Sequence, residues 1–161
     1  MRIGFSVFAL LLVSTVVTPA FSQTTPTTTI DKNGAILEVN KKTPGARVDL
    51  SAVLSKEKPT LLFVHSDHCG PCKRIAPKIK ELAESKSDIR VAELMLDGQM
   101  EKDIGWESPA AKQFKINTVP AYFIFGQDGK LMLSGKKAKE QVVNWMTTLG
   151  ITTDTKTAGS N

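Results

Sequence analysis

Leu61-Leu62-Phe63-Val64 is a continuous apolar run that leads almost directly into Cys69-Gly70-Pro71-Cys72. A run without polar alternation, rich in strand formers, is what a strand buried on both faces requires. Past the cysteines, Ile75, Ile79 and Leu82 recur at helical spacing with Ala76 and Ala83 beside them, giving one apolar helix face that runs to about Lys86. Pro77 lies inside that helix and is expected to bend it, because it removes a backbone bond. A buried strand that turns straight into an amphipathic helix, with both cysteines of the chain at the junction, predicts an α/β fold whose chemistry sits at the carboxyl end of the strand.

The rest of the chain fits that frame. Ala35 to Val39 reads as a short strand, Pro44-Gly45 as a turn, and Val48 to Leu54 as either a strand end or a helical turn. Ile89 to Leu96 is strand-like, Pro109 to Phe114 is helical, and Tyr122 to Phe125 is a second continuous apolar strand. Gly126-Gln127-Asp128-Gly129 is turn chemistry, with Lys130 to Leu133 as the other arm of a hairpin. After Gly135 comes a last helix with Val142, Val143, Trp145, Met146 and Leu149 as its buried side. The first two long strands, joined through a helix, are expected to be parallel.

The amino-terminal 22 residues do not belong to this domain. Arg2, an apolar stretch from Ile3 to Val17 and the small residues around Pro19 to Ser22 make a secretory signal peptide, with cleavage expected after Ser22 or, alternatively, after Ala20. The stretch is shorter than the roughly 18 to 20 residues that favour a spanning helix. Residues 23–34 read as a flexible Thr-rich spacer, 35–150 as the domain and 151–161 as a disordered tail. Export places the chain where disulfides form: a periplasm first, otherwise outside the cell. Loss of Arg2 leaves 20 of the 21 basic residues against 16 acidic ones, a mature net charge of +4. Basic and acidic residues are interspersed, so the expectation is a solvated surface, a monomer and no nucleic-acid partner.

Three uses are open to Cys69 and Cys72: a staple, a metal clip or a reaction centre. A bridge that closes two intervening residues restricts the unfolded chain little, which makes it a poor staple. A zinc site needs four ligands, and His65, His68, Cys69 and Cys72 supply the number; but His65 belongs to the strand and adjacent His68 and Cys69 seldom converge on one ion, so no metal is expected. As a reaction centre the pair is well placed. Cys69 opens a helix, where unpaired N–H groups and the helix dipole favour a thiolate, and Cys72 lies one turn deeper. Pro71 suits a first helical turn, and His68 and Lys73 add positive charge nearby.

Cys69-Gly70-Pro71-Cys72-Lys73 resembles the active-site sequence of thioredoxins, and the likeness extends over roughly residues 55–149. It includes the strand Thr60 to Val64, the helix with Pro77, the strand Ile89 to Asp97, the approach Phe114 to Pro120, and Gly129-Lys130 and Gly135 near the end. The resemblance implies a thioredoxin fold, a central mixed β-sheet with helices on both faces. It implies a thiol-disulfide oxidoreductase with Cys69 as nucleophile, Cys72 as resolving thiol and no bound cofactor. It also implies a cis bond at Val119-Pro120, where the backbone meets the substrate chain. Partners would be client proteins with cysteines or disulfides and a redox partner that donates or accepts electrons, membrane-embedded in one version. Gly70-Pro71 resembles reducing members, which favours a reductase; an oxidase or isomerase of the same fold, and a metal-delivery module using Cys69, Cys72 and a histidine, are the alternatives.

Three positions depart from the family pattern. Its buried acid, six residues before the first cysteine, is Phe63 here; its tryptophan before the motif is His68; and Gly98 to Ser108, with Trp106, is an insertion. Asp67 is expected to face solvent, which leaves no visible acceptor for the proton of Cys72. Trp106 is expected either to pack a local lid or to meet a partner.

Overall fold

The computed structural model describes residues 36–97 and 104–152; the expected signal peptide and spacer, residues 98–103 of the insertion and the tail beyond Thr152 lie outside these. The order of elements is β1 (Leu37–Glu38), α1 (Leu50–Val53), β2 (Thr60–His65), α2 (Gly70–Ser85), β3 (Arg90–Met95), α3 (Pro109–Phe114), β4 (Ala121–Phe125), β5 (Leu131–Ser134) and α4 (Gly135–Thr148).

All six residues of β2 are buried, as its unbroken apolar run demands, and it lies at the middle of a five-stranded sheet ordered β1-β3-β2-β4-β5. It pairs parallel with β3, in register from Thr60 opposite Arg90 to His65 opposite Met95, and antiparallel with β4. The sheet is therefore mixed, and its pleat sends neighbouring residues to opposite layers. On one face Leu61, Phe63, Val91, Tyr122 and Ile124 pack against Ile79, Leu82 and Ala83 of α2 and Ala138, Val142 and Met146 of α4. On the other, Leu62, Val64, Ala92, Leu94 and Phe125 pack against Val53 of α1 and Ala110 and Ala111 of α3. Helices thus cover both faces, with the two long ones together on the first.

The lead-in is short and held by specific bonds. Asp49 caps α1 by accepting from the Ser51 N–H at 2.9 Å. Asn40 prolongs the β1–β3 pairing: its amide donates to the Met95 carbonyl at 2.7 Å and its side-chain oxygen accepts from the Met95 N–H at 2.9 Å. Gly45, at φ +75°, donates to the Met95 carbonyl and accepts from the Ala110 N–H; a β-carbon there would stand 3.1 Å from the carbonyl oxygens of Leu96 and Asp97. Gln113 of α3 clasps Val48 through both backbone groups, at 2.8 and 2.9 Å.

The carboxyl end differs from expectation in two places. Leu149 is 40% exposed, and fully buried Ala138 takes part in the apolar face of α4 instead. Ile151, placed at the start of the tail, is buried in the α2–α4 layer with its N–H bonded to the Met146 carbonyl, so the packed domain extends past residue 150. An apolar residue two positions beyond a helix end commonly folds back on the last turn, here across Gly150 at φ +74°.

Candidate active site

β2 delivers the chain to the motif and α2 carries it away. The His65 carbonyl still accepts from Leu96 in the sheet ladder, and then Ser66 turns the chain: its carbonyl accepts from the Cys69 N–H at 3.1 Å and its hydroxyl from the His68 N–H at 3.0 Å. The Asp97 carboxylate at the end of β3 accepts from the Asp67 N–H at 2.8 Å, which ties the loop to the neighbouring strand. Asp67 is exposed, as expected.

Cys69 is the N-cap residue of α2, with extended backbone (φ −100°, ψ 105°). Its sulfur accepts the Cys72 N–H at 3.1 Å, so an otherwise unpaired donor of the first turn points at Sγ. Cys69 and Cys72 are joined in a disulfide with 5.2 Å between α-carbons, and their relative exposures of 5% and 1% place Cys72 deeper. Pro71 stands in the first turn, where its missing N–H costs nothing. Gly70 has a negative φ and open space, its nearest neighbour to an added β-carbon being the Arg74 guanidinium at 3.7 Å. His68, Lys73 and Arg74 are exposed. The backbone around Cys69, more than these solvated cations, is therefore what stabilises charge on its sulfur.

Across from the disulfide, the Val119-Pro120 peptide bond is cis, and the Val119 carbonyl oxygen lies 3.8 Å from Cys69 Sγ. Beside it runs a groove of about 230 Å³ between α2 and α4, with Pro71, Ile75, Pro120, Tyr122 and Val142 in its apolar lining and Arg74, Lys78 and Lys139 as its cations. Burial pushes the Tyr122 phenol up to about 12, so it stays neutral.

The histidines separate. His68 is exposed, whereas His65 is buried on the α2 face of the sheet with its ring stacked on Phe63 at 5.3 Å and 7°. Among the described residues no three His, Cys, Asp or Glu side chains form a metal-ligand set. His65 Nε2 lies 3.3 Å from Glu93 Oε1, yet without the alignment of a hydrogen bond. Glu93, the partner of His65, is a residue the sequence did not single out. It lies directly opposite Phe63 on β3, and burial, the largest influence, raises its pKa; Glu38 and Asp67 push the same way, while His65 and Lys41 oppose them. Its one sequence signal was a carboxylate in the middle of a strand, which reads equally well as a solvent-facing position. Trp106 is half-buried.

A Thioredoxin family model matches residues 49–148. Mycobacterium tuberculosis thioredoxin is 34% identical over 87 residues, 52% of this chain and 68% of that one. Drosophila melanogaster Thioredoxin-T is 34% identical over 85 residues, 53% of this chain and 49% of its own length, so the match spans about half of that relative. Among solved structures, a chain in the complex of ferredoxin:thioredoxin reductase with thioredoxin f2 superposes with a TM-score of 0.50 at 29% identity, over 74% of this chain and 97% of that one. The chain belongs to the thioredoxin family and carries that family's thiol-disulfide oxidoreductase centre at Cys69 and Cys72.

Proposed function

We propose that this protein is an exported reductase of protein disulfides. The observation that carries the reading is the Cys69 sulfur at the N-cap of α2, receiving the Cys72 N–H at 3.1 Å while Cys72 lies deeper. In the dithiol form the Cys69 thiolate attacks a client disulfide; one client sulfur leaves as thiolate, and the other is held as a mixed disulfide on Cys69. Cys72 then gives up its proton and attacks Cys69 Sγ, the client leaves with its second sulfur reduced, and two electrons have passed from the cysteine pair to the client. The less buried of the two sulfurs, Cys69 Sγ, lies beside the Val119 backbone, which suits an extended client segment that main-chain pairing recognises with little demand on side chains. The adjoining groove, apolar with Arg74, Lys78 and Lys139 around it, suits apolar and acidic partner residues.

A second redox protein has to restore the dithiol. One thioredoxin relative is known in complex with ferredoxin:thioredoxin reductase; for an exported protein we infer a donor embedded in or reaching across the membrane. The apolar leader ending in small residues supports export, to a periplasm in a bacterium. Gly70-Pro71 supports the reducing direction.

The test uses the mature chain. It is expected to reduce insulin with dithiothreitol as electron source, to lose that activity in Cys69→Ser, and in Cys72→Ala to accumulate a mixed disulfide through Cys69. No reduction by the wild-type chain would refute the oxidoreductase reading. Equilibration with glutathione buffers decides direction: a potential near about −270 mV supports a reductase, and one near about −120 mV would establish an oxidase instead.

A further inference from the structure

Resolution of the mixed disulfide requires a proton to leave Cys72, a sulfur at 1% exposure, where burial in apolar surroundings disfavours the thiolate. Water reaches such a sulfur poorly, and the exposed carboxylate of Asp67 is turned to solvent.

Two titratable side chains meet on the face of the sheet that α2 covers. The buried stripe of α2 begins at Cys72 and continues through Ile79, Leu82 and Ala83, and its later members rest on Leu61, Phe63 and Val91 of the sheet. On that same face, the next β2 side chain toward the motif after Phe63 is His65, and the β3 residue opposite Phe63 is Glu93. The first turn of α2 therefore faces the part of the sheet that holds this pair. Its two polar ends are 3.3 Å apart, Nε2 of His65 has no hydrogen bond, and both side chains are largely withdrawn from water, at 10% and 19% side-chain exposure. A buried polar pair left short of hydrogen bonds is costly to keep for packing alone.

We propose that the His65–Glu93 pair is the proton acceptor for Cys72 in the resolving step. The inference rests on the oxidoreductase reading above. The Cys72 S–H bond breaks, its proton passes to the pair, the sulfur bonds to Cys69 Sγ, and the client sulfur leaves with the electrons of the former mixed disulfide. In the reverse direction the pair returns the proton to Cys72. Burial holds the Glu93 carboxyl above the usual range, which brings its proton affinity nearer to that of a thiol. The charged groups that act on Glu93 are His65 on β2, Glu38 on β1, Lys41 just beyond it and, from the solvent side, Asp67 in the motif loop; Asp97, two residues beyond β3 and with one carboxylate oxygen buried and unbonded, is the rival acceptor.

Stopped-flow mixing of the reduced mature protein with 5,5′-dithiobis(2-nitrobenzoate) separates the steps. The first thiol release depends on reagent concentration. The second, attack by Cys72, does not, and its leaving group needs no proton. In Glu93→Gln the second phase is expected to slow by at least about tenfold near pH 6.5, to rise steadily with pH as a free thiol would, and to meet the wild-type rate above about pH 9. His65→Gln is expected to shift the profile the same way, Glu93→Asp to restore part of the rate and the wild-type inflection, and Asp97→Asn to leave both unchanged. A Glu93→Gln profile that overlies the wild type, or the same loss in Asp97→Asn with Glu93→Gln unaffected, would overturn the proposal. Absence of any second phase in the wild type would instead strike at the dithiol reading itself.

Discussion

The two faces of the sheet are built to different rules. The α1–α3 face is closed by apolar side chains, Leu62, Val64, Ala92, Leu94 and Leu96 among them, under two short helices. The α2–α4 face carries the two long helices and is equally well filled at Leu61, Ile79 and Leu82, but toward the motif it admits a histidine, a carboxyl and a phenol. One face serves as foundation. Its buried polar side chains, Thr60 and Asn40 among them, are neutral and hydrogen-bonded, whereas the other face accepts the cost of buried titratable groups at the end where a thiol has to gain and lose a proton.

Substitutions that separate the faces test this contrast. The largest effect is on activity: Cys69→Ser is expected to reduce insulin turnover to background while the urea midpoint of the reduced protein barely moves, because Cys69 contributes a cap more than core. Next comes Leu94→Ala on the foundation face, expected to cost about 2–5 kcal/mol in urea unfolding and, in the folded fraction, to leave the pH profile of the resolving step unchanged. Asn40→Ala, which strands the Met95 N–H at the edge of the same layer while the Met95 carbonyl keeps its bond from Gly45, should cost about 1–3 kcal/mol. A loss below the range of ordinary surface changes would show that water replaces the amide.

Glu93→Gln has a smaller effect on stability, with a definite sign. The raised carboxyl pKa means that, between its ordinary value of 4.5 and the folded value, the native state binds more protons than the unfolded one. Wild-type stability therefore falls as pH rises through that window, and Glu93→Gln escapes the fall. Urea midpoints at pH 5 and pH 8 are expected to show the variant gaining on the wild type at the higher pH; an equal difference at both would mean that burial does not penalise the carboxylate. The smallest effect is at the groove: Lys139→Glu is expected to raise KM for an acidic client a few-fold with kcat unchanged, as rim charges steer association.

The contrast between faces was only partly legible in the sequence. Local signals served well where one period dominated: the β2 run, the cysteines at the start of α2, and α3 from Pro109 to Phe114. The cis bond at Val119-Pro120 came through resemblance, since no local pattern dictates it. What escaped depends on register and on chain reversal. Glu93 becomes meaningful only once β3 is laid beside β2 with Glu93 opposite Phe63, and the missing acid at Phe63 drew attention to its own position rather than to its neighbour across the ladder. His65 looked like an ordinary strand-end histidine until its ring was placed on Phe63. Leu149 and Ile151 exchange roles because Gly150 reverses the chain after α4, bringing the later residue back to the core. Lys115, a non-glycine residue at φ 52°, ends α3 where sequence reasoning would have looked for glycine.

The two sulfurs are unequal, Cys69 at the helix N-cap and Cys72 deeper, and alkylation measures that inequality directly. Reduced mature protein treated at pH 6.5 with one equivalent of iodoacetamide, then digested and weighed by mass spectrometry, is expected to carry the label almost entirely on Cys69, the sulfur held at the helix N-cap. Equal labelling, or a preference for Cys72, would contradict it.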